Sequence, residues 1–171
     1  MSIAKFNKWQ SVDGVTRNAV LQVVSQKIDT LQLVNSTSFI DTVMTASITP
    51  TSATSKILVN FTPTLVLSRS SSNVGIGAFQ LLRDSNIIYK PYGQTASGVF
   101  SMGTASQGTT AAVTYGNFPI TYLDSPATTS EVTYMMQAAC FNSTALNLYI
   151  NYFVSPYSQT ESTITLMEIA Q

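Results

Sequence analysis

The chain has 171 residues, of which 44% are hydrophobic and only 9% charged, and its formal net charge is +0 at pH 7. That length suits one domain with a sizeable core, and so apolar and uncharged a chain is the opposite of a disordered one. A neutral chain argues against nucleic acid or an acidic membrane as the main partner, and its longest apolar runs fall well short of the ~20 residues of a membrane span.

Residues 1–18 stand apart. They hold Lys5, Lys8 and Arg17, with Phe6 and Trp9 set among them, and an Asp-Gly turn signal in 11-SVDGV-15. Aromatic side chains are costly to leave in water. The expectation is an arm that attaches the protein through Phe6 and Trp9, against the plainer alternative of a frayed terminus. The start, 1-MSIAKFNKWQ-10, lacks the apolar stretch of a secretory signal. The domain itself is expected over 19–171.

The segment 19-AVLQVVSQKIDTLQL-33 fits two periods. Val20, Val24, Ile28 and Leu31 make a helical stripe, while Val20, Gln22, Val24, Gln26 and Ile28 fit one face of a strand imperfectly. β-Branched residues favour a strand. A short trimeric coiled-coil stalk is the alternative, and it would hold barely two heptads.

From residue 38 the chain is a series of short strands with turn punctuation. The segment 43-VMTASIT-49 alternates and ends at the turn cluster 50-PTSATS-55. In 56-KILVNFTPTLVL-67, Ile57, Val59 and Phe61 share a face, and Pro63 marks an edge, bulge or bend. The stretch 74-VGIGAFQLLRDSNIIYK-90 reads as a hairpin about 83-RDSN-86, with Gly75 and Gly77 where a neighbour comes close. Residues 91–110 are glycine-rich loop, interrupted by a candidate strand at 99-VFSM-102.

Regular pattern then returns. A strand over 111–123 kinks between Gly116 and Pro119, and strands follow at 131-EVTYMMQAACF-141 and 146-LNLYINYFV-154. The last, 161-ESTITLMEIAQ-171, is apolar on both faces. Ile164 and Leu166 share one face with Glu168, and Met167 and Ile169 share the other with Thr165. These about eight to ten strands predict an all-β, antiparallel β-sandwich, with a jelly roll the best-fitting architecture and an immunoglobulin-like sandwich second.

Chemistry is sparse. There is no histidine, so a serine or cysteine nucleophile has no usual base. The single cysteine, Cys140, lies in an apolar run and reads as a buried small hydrophobe. No acidic run has calcium-loop spacing, and no phosphate-binding glycine motif is present. The expectation is a protein with no catalytic, cofactor-binding or metal residues. An isolated calcium site, or a pair of acids acting on a glycan, is the alternative.

Several phrases carry a resemblance: 9-WQSVDG-14, 21-LQVV-24, 36-STSFIDT-42, 46-ASITPTSATSKILV-59, 79-FQLLRDS-85, 122-YLDSPATTSEVTY-134 and 163-TITLMEIA-170. Together they resemble a family of small structural proteins of marine and cyanobacterial phages, commonly labelled tail-fibre or virion proteins. That family is similar in pattern to trimeric jelly rolls of the tumour-necrosis-factor and complement-head type. The resemblance implies a homotrimer with Ile164, Leu166, Met167 and Ile169 divided between sandwich core and sister subunits. It implies a non-enzymatic role in the virion. The partners would be other copies of the chain, further virion proteins and a host-surface glycan or protein, met through loops such as 68–73, 91–110 and 155–161. A fibre or appendage head is the first expectation, and a capsid decoration or neck protein the alternative.

Overall fold

The computed structural model describes residues 8–10, 16–69, 75–90, 102–104, 112–141, 146–154 and 158–171. Every regular element among them is a strand. In chain order these are β1 (Lys8–Gln10), β2 (Thr16–Asn18), β3 (Val20–Ile28), β4 (Gln32–Val34), β5 (Ile40–Ile48) and β6 (Lys56–Thr62). They continue as β7 (Thr64–Arg69), β8 (Gly75–Arg83), β9 (Asn86–Tyr89), β10 (Met102–Thr104), β11 (Ala112–Asn117) and β12 (Ile120–Asp124). The last are β13 (Val132–Phe141), β14 (Leu146–Ile150), β15 (Phe153–Val154), β16 (Ser158–Gln159) and β17 (Ser162–Ile169).

Two ladders run end to end. One has the order β12-β6-β17-β3 and the other β11-β7-β14-β4. Strand β3 leads into β4, β6 into β7 and β11 into β12, while β14 leads into β17 after the small β15–β16 hairpin. The in–out alternation survives the junctions. Val59 and Phe61 before Pro63, and Leu65 and Leu67 after it, all face the same core. The two ladders therefore form one long layer. The second layer has the order β10-β8-β13-β5, with β9 also on β8.

Counting each continued pair as one strand, the long layer places the first, last, third and sixth strands side by side. The second layer places the second, seventh, fourth and fifth, with β9 and β10 sharing the fifth place. That interleaving is the double Greek key of a jelly roll. The core between the layers is built on Phe61, Phe79, Tyr134, Met44 and Met136, all buried. Segment 19–33 is strand, not stalk: its β-branched residues pack into a pleated ladder beside β17 and β14.

The long layer is creased where its junctions align. Pro63 has no N–H to offer the ladder, and its carbonyl accepts from the Phe118 amide at 3.2 Å. Asn151 sits at φ 57, the left-handed conformation that Asn tolerates better than most residues. Its side-chain amide donates to the carbonyls of Ile28 and Thr30 at 3.0 and 3.1 Å. The Ser162 hydroxyl donates to Asn151 Oδ1 at 2.6 Å and accepts from the Thr64 amide at 2.9 Å. Buried side chains thus satisfy backbone groups that the interrupted ladder leaves over.

Glycines answer the expectations unequally. A Cβ at Gly116 would lie 2.7 Å from the Phe118 ring, so that ring would have to shift to admit any other residue. At Gly77 it would meet Leu67 and Leu148 at 3.5 Å, an ordinary contact, so the crowding expected there is slight. The β8–β9 turn is tighter than the four residues 83-RDSN-86 suggested, because Arg83 and Asn86 pair across it. Asp84 takes φ 55 in this turn.

Candidate functional site

The closing strand β17 lies in the middle of its ladder, between β3 and β6. Its alternation sends Ile164, Leu166 and Glu168 into the sandwich, all buried, and leaves Thr165, Met167 and Ile169 on the outer face, partly exposed. The four residues singled out from the sequence thus divide into two pairs with different surroundings. Ile164 and Leu166 belong to the core cluster. Met167 instead belongs to an outward row.

That row is in register across four strands: Val23 on β3, Met167 on β17, Leu58 on β6 and Leu123 on β12. Val23 is 55% exposed and Leu123 47% exposed. Beside them Ile169 is opposite Val20, which is also exposed. The outer face of the second layer has a different character. Its register places Gln80, Gln137 and Asp41 in line, with Gln80 Nε2 donating to Gln137 Oε1 at 2.6 Å and Gln137 Nε2 to Asp41 Oδ1 at 2.7 Å. Ser47 and Thr133 exchange a hydroxyl hydrogen bond at 2.8 Å on the same face. The second layer thus carries a polar row here, although Gln80 within it is buried. The other carries an aliphatic row, the kind of patch that marks a contact surface.

Glu168 shows how the inner face is completed. Its Oε1 accepts from the Thr51 amide and hydroxyl, both at 2.8 Å, and its Oε2 from Gln22 Nε2 at 2.7 Å. Burial pushes the carboxyl up, but the polar groups around it, Ser55, Gln22 and Thr51, outweigh burial and hold it below the usual glutamate value. The carboxylate is therefore satisfied within one protomer, and neither a solvent-facing strand end nor a pairing across an oligomer axis describes it.

The two sides of the sandwich are closed differently. On the β3–β4 side, Gln22 Nε2 also donates to the Thr49 carbonyl at 2.7 Å. Gln32 behaves as a substitute strand for the edge of β5, accepting from the Val43 amide at 2.7 Å and donating to the Asp41 carbonyl at 2.9 Å. Such caps blunt an edge that could recruit another strand. At the opposite side Arg83 pairs with Asp124 at 2.8 Å, and the Tyr134 hydroxyl donates to the same carboxylate at 2.8 Å. Around this clasp lie exposed apolar side chains, Ile87 and Tyr89 on β9 and Leu123 on β12. No local pattern in the sequence distinguishes Gln22 and Gln32 from the other glutamines.

Chemistry beyond packing is thin. Cys140 is buried, its thiol donating to the Val34 carbonyl at 3.2 Å, and burial pushes its pKa up to about 11. A thiol so protonated is a poor nucleophile. Among the described residues no group of three acidic or thiol side chains is placed to hold a metal ion, and no helix is long and apolar enough to cross a membrane. Phe6 lies outside the described residues, while Trp9 is on β1, its backbone opposite Arg17. Of the loops expected to meet a host, residues 70–73, 91–101, 105–110 and 155–157 also lie outside them.

No family model matches the chain, and no curated protein matches it in sequence. Among the solved structures that show a slight likeness are three of one virus. The structure of infectious bursal disease virus, Gx strain, is 10% identical with a TM-score of 0.34, and covers 99% of this chain and 44% of that one. A mutant VP2 protein of the same virus, in derived T=1 particles, is 14% identical with a TM-score of 0.33, covering 90% and 38%. The Gt strain structure is 15% identical with a TM-score of 0.32, covering 100% and 42%. The chain thus spans less than half the length of each. At such scores the jelly-roll assignment rests on the strand order alone.

Proposed function

We propose that the protein is a non-enzymatic structural subunit of a virus particle, a jelly roll that assembles with copies of itself. One observation carries the self-assembly: the in-register aliphatic row Val23, Met167, Leu58 and Leu123 on the outer face of the long layer. The same protomer carries a second apolar surface at its β9–β12 side, with Ile87 and Tyr89 exposed. Two unlike surfaces on one subunit suit a head-to-tail contact, which closes into a ring when the rotation allows. The ring of three comes from the phage-protein resemblance, as does the virion setting. Residues 1–18, with Phe6 and Trp9, would attach it to the particle, and its loops would face the host as the head of a fibre or appendage.

Light scattering on the purified protein tests the assembly. The expected result is a trimer that persists at micromolar concentration, and a stable monomer at that concentration refutes it. Deleting residues 1–18 should prevent incorporation into particles while leaving the trimer intact, and normal incorporation refutes the attachment role.

A further inference from the structure

Beyond the crease, the outer face of the long layer adds tyrosines to its aliphatic side chains, with exposed Leu33 on β4 opposite Tyr149 on β14. Tyr149 on β14 and Tyr115 on β11 are both in register with Val66 on β7, which lies between them. Tyr115 is 60% exposed, whereas Val66 is only 1% exposed although it occupies an outward position. Tyr152 adds a third ring, its centroid 4.7 Å from that of Tyr149 and tilted 54° to it. The rows on either side supply amides and hydroxyls, with the exposed Val113 standing opposite Ser68 in one of them. Asn147 is opposite Ser68 on one side, and Thr64 opposite Asn117 on the other. None of the residues in these rows carries a charge.

We propose that this tyrosine face, built on Tyr115, Tyr149 and Tyr152, binds a neutral oligosaccharide. Sugar rings present C–H faces that stack on aromatic rings, and a ring of hydroxyls that pair with amides and side-chain hydroxyls. The face offers both partners, and with no charge it has nothing to select an anionic glycan. Tyr149 and Tyr115 stand two strands apart, about 10 Å, a span that two successive pyranose rings fill. The aliphatic row assigned to self-assembly lies on the other half of the layer, so the two surfaces do not compete and this inference stands apart from the assembly.

Saturation-transfer NMR on the intact protein, with cellohexaose and maltohexaose as probes and sialyllactose as the anionic control, tests the proposal. Transfer to at least one neutral probe is expected, and no stronger transfer to sialyllactose. Tyr115→Ala, at an exposed position, should weaken binding by about tenfold or more, and Tyr115→Phe should stay within a few-fold because the ring remains. Absence of transfer to both neutral probes, or equal binding by Tyr115→Ala, overturns it. So does a wild type that ignores sugar while Tyr115→Ala disrupts assembly, which would make the face a protein contact. Met167→Asp separates the two readings, since it should break assembly and leave sugar binding intact.

Discussion

Glu168 and Thr51 are 117 residues apart in the sequence, yet the Thr51 amide and hydroxyl both donate to one oxygen of the Glu168 carboxylate at 2.8 Å. The pair ties the turn after β5 to the closing strand. Because the folded carboxyl is held below the usual glutamate value, its stabilising effect is fully present above the unfolded pKa of about 4.3. The effect is lost as pH falls through the folded value. Replacing Glu168 by Ala should cost about 3 kcal/mol at neutral pH, since it leaves buried donors unsatisfied. The loss should shrink on acidification. Urea melts at pH 7 and pH 3 check this, and an equal loss at both would refute the charged clasp.

Tyr134 and Asp124 make a second test, with the opposite sign. Burial first, and then the Asp124 carboxylate, raise the Tyr134 pKa well above its ordinary value. The stability it contributes is fully present below the unfolded pKa of about 10, and is lost as pH rises from there towards the folded value. Tyr134→Phe should cost about 1.5–3 kcal/mol near neutral pH, the usual worth of a hydrogen bond to a charged group. It should also flatten the alkaline limb of the stability curve. Denaturant melts between neutral and strongly alkaline pH measure both effects.

Leu166 and Met167 are neighbours in sequence on opposite faces. Leu166→Ala opens a cavity in the core and should cost about 2–5 kcal/mol in unfolding free energy. Met167→Asp should leave the protomer folded, with strand circular dichroism unchanged, but shift light scattering from trimer to monomer. If Met167→Asp assembles normally, the outward row is not the contact surface.

Asn151 combines a left-handed backbone with a side chain that bridges three segments. Asn151→Gly keeps the backbone and loses the amide, while Asn151→Ala loses both. The alanine variant should be the less stable by about 1–2 kcal/mol, the cost of that conformation for a residue with a Cβ. Thermal melts of the two variants give the difference, and equal stability would show that the crease relaxes.

Much of the fold is legible in the residues. Alternation and turn clusters place the strands from 40 onward. Pro63 marks the crease, and the stretch from Gly116 to Pro119 marks its neighbour, because missing donors and close approaches have local signatures. Asn151 is less visible. Nothing nearby announces that four interruptions will align, since alignment depends on pairing between distant strands. The clasps made by Gln22 and Gln32 are hidden for the same reason. A glutamine reads as polar whether it faces water or caps an edge.

The closing strand shows the division most clearly. The pattern of 161-ESTITLMEIAQ-171 determined by itself that a strand would form there with two sets of side chains, Ile164 and Leu166 against Met167 and Ile169. Period-two alternation is symmetric, so it does not say which set goes inside. Tertiary structure decided that. Strands β3 and β6 bring Val24 and Val59 beside Leu166, and Gln22 and Thr51 arrive to satisfy Glu168. With its partners supplied, the face carrying Glu168 is the buried face. The face of Met167 and Ile169 is left outward.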